Sequence, residues 1–221
     1  MKKFAAVLAA TMMCMAMMPA TVSAQDDETE VLQDAMAFAM HDAAFTIYHE
    51  IGHMLVGELG IPVLGKEEDA VDTLATIWLL NDEDQEYAFN ALIDASDGWY
   101  YNAVNSTGSG VDEFSYYDEH SLDIQRAYAM VCLMVGMDQD AFGETADVYE
   151  LDEDQQENCT YTYEQAEAAW STLLEPYGLQ GTESAPIEVI YEEAGDYEDF
   201  AESLKQSALL ERAADLVTSN Y

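Results

Sequence analysis

The stretch Phe45-Thr46-Ile47-Tyr48-His49-Glu50-Ile51-Gly52-His53 holds two histidines four residues apart, with a glutamate directly after the first. On a helix this spacing projects both imidazoles from one face about a turn apart, where they can share one tetrahedral Zn2+. Glu50 then lies beside that face, placed to act as a general base on a metal-activated water. The flanking pattern is helical: Ala43 to Leu59 keeps a helical apolar period and stops at Gly60, a natural C-cap, with Pro62 just beyond. A helix, a short turn and a returning helix are therefore expected here.

Two histidines leave a catalytic zinc one protein ligand short. The next helix, Lys66 to Leu80, opens with Glu67, Glu68 and Asp69, acids that suit the positive end of its dipole. Glu68 and Asp72 are four apart and share a face. Glu68 is the expected third ligand, and Asp72 the expected acceptor for the outer ring N–H of a ligand histidine, which fixes its tautomer. Glu67 and Asp69 are expected at the surface. Two imidazoles and a carboxylate with an open position suit zinc best. The bland alternative is a pair of partly buried helical histidines amid a solvated acidic face. Arg126 is expected to pair with a buried acid, Asp72, Asp118 or Asp123, rather than with substrate. His41 is expected at the surface.

Elsewhere the pattern is mainly helical. Helices are expected over 29–40, 83–95, 122–137 and 163–174, with a final amphipathic one over 197–217. Residues 96–119 read as the least helical part, because Asp97-Gly98 and the Ser106-Thr107-Gly108-Ser109-Gly110 run mark loops. Pro186-Ile187-Glu188-Val189-Ile190-Tyr191 alternates like a short strand. The fold class is mainly α, α+β at most. Residues 25–180 are expected to form the metal-site domain and 181–221 a strand-helix segment packed on it or appended to it.

Residues 1–24 read as a signal peptide: Lys2 and Lys3, an apolar stretch from Phe4 to Met18, then small residues ending at Ala24. A periplasmic or secreted protein follows. Export leaves Cys132 and Cys159 in an oxidising compartment, where a disulfide is expected over two buried thiols. With 45 acidic and 6 basic residues the formal charge is -39, which excludes nucleic-acid binding through the phosphate backbone and docking onto an anionic membrane. No later apolar run reaches the length of a membrane span. The acidity fits a high-salt habitat, or calcium. Asp138-Gln139-Asp140-Ala141-Phe142-Gly143-Glu144 starts like an EF-hand loop, but Phe142 stands at a ligand position and Tyr149 at the twelfth. It reads as a solvated loop.

Residues 43–177 resemble a family of exported bacterial zinc metallopeptidases with a zincin-like, gluzincin-like helix pair. The matching stretches are Phe45 to Leu59, Pro62 to Ala70, Asp72-Thr73-Leu74-Ala75 and Asp118 to Arg126, with Cys132, Cys159 and Trp170 downstream. The resemblance implies a zinc-dependent hydrolase acting on peptide or protein substrates. His120 would then donate to the oxyanion of a tetrahedral intermediate, or else serve as a structural histidine bonded to a neighbouring carboxylate. Ahead of the zinc helix, longer members carry a segment with a Cys-Gly and an Asn-Ala pattern that has no counterpart in Gln25 to Asp42. The edge strand that holds an extended substrate in zincin folds is then missing, or supplied late by residues 186–191. The alternative function is a non-catalytic exported zinc-binding module with the same metal site.

Overall fold

The computed structural model describes residues 24–106, 118–179 and 184–221, so the stretch expected as a signal peptide, up to residue 23, and most of the serine-glycine run lie outside the described residues. Helix α1 spans Ala24–Leu59 without a break, joining two stretches that the sequence pattern separates. It stops where expected. Gly60 takes a left-handed backbone (φ 64) and the Ile61 N–H reaches back to the Val56 carbonyl at 3.1 Å, the six-residue closure of a Schellman-type cap. Helix α2 follows at Glu67–Leu80, with Lys66 as its extended N-cap residue.

Helix α3 covers Gln85–Ser106, well past the loop expected from residue 96. Packing overrides the local Asp97-Gly98 signal, since Ala95 and Ser96 are fully buried and Gly98 faces the Phe38 ring of α1. Helix α4 (Asp123–Met137) is central, packed against α2, α3, α5 and α6. Its Met130, Val131 and Met134 sit in one cluster with Phe45 and Tyr48 of α1 and Leu79 and Leu80 of α2.

The segment expected as a solvated, EF-hand-like loop is largely helix α5 (Gln139–Val148). The Asp138 carboxylate caps it by accepting the Ala141 N–H at 2.9 Å, and Phe142, the misfit at a calcium-ligand position, is buried in the core. Helix α6 (Glu153–Leu174) begins ten residues earlier than expected. The cause is a reciprocal capping box: Asp152 accepts the Gln155 N–H at 2.8 Å and Gln155 accepts the Asp152 N–H at 2.9 Å. Cys132 and Cys159 form a disulfide that joins α4 to α6.

No strand occurs among the described residues, which corrects the expectation for 186–191. A strand needs a ladder partner, and among the described residues no backbone hydrogen bond joins residues 186–190 to another segment. The final helix is two: α7 (Glu198–Ser207) and α8 (Leu209–Asn220), broken at Ala208, which has a left-handed backbone (φ 52). The break turns Leu209 into a buried position beside Ala44 and Ala91. Among the described residues no helix is long and apolar enough to cross a membrane.

Candidate metal centre

Helices α1 and α2 meet at Gly52, one residue before His53. A Cβ built on Gly52 would stand 2.8 Å from Val71 Cβ, closer than real contacts allow. Glycine therefore sets how near the histidine face of α1 comes to the acidic first turn of α2. Across that junction three atoms converge. His49 Nε2 and His53 Nε2 are 3.1 Å apart, and Glu68 Oε2 is 3.2 Å from each of them.

The hydrogen bonds on the far side of each ring decide what these atoms are. His49 Nδ1–H donates to Asp72 Oδ1 at 2.7 Å, and His53 Nδ1–H donates to Glu67 Oε1 at 2.8 Å. An ionised carboxylate only accepts, so each Nδ1 carries the proton and each Nε2 of a neutral ring presents a lone pair. Two lone pairs and a carboxylate oxygen thus face a common point, an arrangement that repels itself unless a cation lies between them. The dimensions suit one: a tetrahedral ion with bonds of about 2.0–2.1 Å has ligand–ligand edges of roughly 3.3 Å. His49, His53 and Glu68 form a group that could hold a metal ion, with His49 buried and the other two half-buried.

Behind the histidines the support continues inward. Asp72 is 6 % exposed and also accepts both Nε–H (2.7 Å) and an Nη2–H (2.8 Å) from Arg126, itself 6 % exposed. Of the three acids that Arg126 was expected to choose among, it takes Asp72. Burial pushes the Asp72 carboxyl up, but the His49 and Arg126 hydrogen bonds and the Arg126 charge more than offset this and leave it below the usual carboxylate range. The Arg126 guanidinium carbon also lies 3.7 Å from the centre of the Trp99 ring, a cation–π contact that adds to its hold on Asp72. Burial lowers the His53 pKa, whereas the hydrogen bond to Glu67 and the charge of Glu68 raise it by more.

The loop ahead of α4 closes over the same acids. His120 Nε2 lies 3.0 Å from Glu68 Oε2, and its Nδ1 lies 3.1 Å from Asp118 Oδ1. The Asp118 carboxylate accepts the His120 backbone N–H at 2.9 Å, a bond that, with the ring contact, holds it below the usual range. Lys66 Nζ donates to the His120 carbonyl at 2.9 Å, and Ser121 Oγ donates to Asp69 Oδ2 at 2.7 Å. A cavity of about 450 Å³ opens beside the cluster, lined by His53, Lys66, Glu67, Glu68 and Glu119. Glu50 is exposed and lines a different groove, on the α8 side of α1.

Two expectations need correction. Glu67 is exposed as expected, and from the surface it accepts the His53 N–H, but Asp69 is half-buried and anchors Ser121. His41 is not free at the surface; it pairs with Asp94 at 2.5 Å. Lys66 was overlooked, and only a fold that brings residue 120 over α2 could reveal it.

No curated protein and no solved structure matches this chain. The family model described as “Putative metallopeptidase” (DUF4344) matches residues 4–174. With well over half of its length covered and a histidine–histidine–glutamate group of metal-binding geometry inside that span, the chain belongs to this metallopeptidase family.

Proposed function

We propose that the chain is an exported zinc-dependent peptidase, with His49, His53 and Glu68 as the metal ligands and Glu50 as general base. The observation that carries this reading is the triangle of two imidazole nitrogens and one carboxylate oxygen with edges of 3.1–3.2 Å. Zinc is the ion of choice for two imidazoles and one carboxylate at that spacing, and export follows from the sequence of residues 1–24.

When bound, zinc supplies Lewis acidity that makes water a better nucleophile at neutral pH and polarises a carbonyl. The chain's own groups do the rest. Asp72 and Glu67 hold the two imidazoles in the tautomer that leaves Nε2 unprotonated. Glu50, next to His49 in the chain and exposed on the neighbouring groove, would turn its carboxylate to the metal side to accept the proton of the attacking water and return it to the departing amine nitrogen. His120, whose ring nitrogens rest against Glu68 and Asp118, would donate from Nε2 to the carbonyl oxygen on turning away from Glu68 as negative charge builds there.

The Glu50→Gln variant separates this reading from a non-catalytic zinc module. It should bind zinc as the wild type does and lose at least a hundredfold in kcat on a peptide library. Unchanged behaviour in both assays, with no cleavage by either protein, would establish the module instead.

A further inference from the structure

Beside the histidine face, α1 presents Thr46, Glu50 and Met54 in one stripe at intervals of four. This stripe, with Ile47 and Ile51, forms one wall of a groove of about 500 Å³. The other walls are Ile187 to Ile190 and, from α8, Leu210, Ala213 and Ala214. The volume lies within the roughly 300–1,000 Å³ of small-molecule sites. The lining is apolar apart from Thr46, Glu50 and Glu188. Both far walls come from residues beyond 174, outside the span that the family model matches. Glu50 belongs to the groove and is also the neighbour of His49, so a group seated there touches the proposed base.

We infer that this groove is a specificity subsite that takes a large, uncharged apolar side chain of the substrate peptide, and that the C-terminal segment builds it. The inference rests on the peptidase reading and names its substrate class. Apolar walls favour burial of a Leu- or Phe-sized side chain. Two carboxylates at the groove repel an acidic one. The backbone of 187–190, which makes no backbone hydrogen bond to another segment among the described residues, has N–H and C=O groups to offer the peptide that carries the side chain.

The test is binding and cleavage measured separately on the zinc-loaded mature protein. Four fluorescent peptide amides are compared, with Phe-Leu, Gly-Gly, Lys-Lys or Glu-Glu at the central positions. The Phe-Leu probe should bind at least tenfold tighter. Ala214→Phe, which fills the groove, and Ile190→Asp, at a position 70 % exposed where folding is spared, should each erase that preference. Zinc content and helical circular dichroism should stay unchanged in both variants. Cleavage without the preference, equal binding of the Phe-Leu and Gly-Gly probes, or a preference that survives both variants would overturn the subsite. A preference lost in both variants, with no cleavage of any peptide, would support the subsite while removing the peptidase reading. Tighter binding of a Lys- or Glu-bearing probe than of Phe-Leu would also overturn it.

Discussion

Asp72 accepts from His49 on one side and from Arg126 on the other, so a single buried carboxylate ties the candidate metal ligands to the core. Removing Arg126 would leave that charge buried without its strongest partner. Arg126→Met should therefore lose about 3–5 kcal/mol of stability at pH 7. The pH dependence has a definite sign. In the wild type the Asp72 pKa is depressed, so its contribution is present above the unfolded value near 3.9 and is lost as pH falls through the lower folded value. In the variant, protonation relieves the unpaired charge. Urea melts should show the two proteins drawing together below about pH 4, and a constant gap would contradict this account. His49, His53, Glu68 and Asp72 were legible in the sequence because helical spacing alone puts each pair on one face. Glu67 was not, since its reach to His53 depends on how α1 and α2 cross. Lys66 and His120 are 54 residues apart, and no local pattern links them.

Among the elements, the α1–α2 crossing governs whether the three donor atoms meet. Gly52→Ala forces a methyl against Val71, so α1 and α2 must part; the cost should be about 1–3 kcal/mol together with weaker zinc binding. Gly57, on the same helix with open space around it, is the matched control. There alanine should be neutral or stabilise by up to about 1 kcal/mol, because helix propensity alone changes. Equal effects at the two positions would mean that the crossing is not set by Gly52. Helix ends were read well where a cap is a local chemical fact, as at Gly60 before Pro62. The start of α6, ten residues ahead of the expected 163, is written in Asp152-Glu153-Asp154-Gln155, a capping box. The continuation of α3 through Gly98 and the break at Ala208 depend on partners distant in sequence, Phe38 in one case and Ala44 and Ala91 in the other.

At the scale of the molecule, a formal charge of -39 on 221 residues loads the folded state with self-repulsion. Salt screens it, with a Debye length falling from about 30 Å at 0.01 M to about 3 Å at 1 M. The melting temperature should accordingly rise by several degrees across that range, and a flat profile would mean that the repulsion is relieved another way. The same acidity makes non-specific cation uptake a hazard, so the metal must be assayed by site. The most direct measurement is elemental analysis of the purified protein after exhaustive dialysis in high salt, beside His53→Ala and Glu68→Ala. The wild type should retain one zinc per chain, and each variant should fall to a small fraction of that while keeping its helical content. Wild type without zinc, or variants that hold it as well as the wild type, would contradict a centre built from positions 49, 53 and 68.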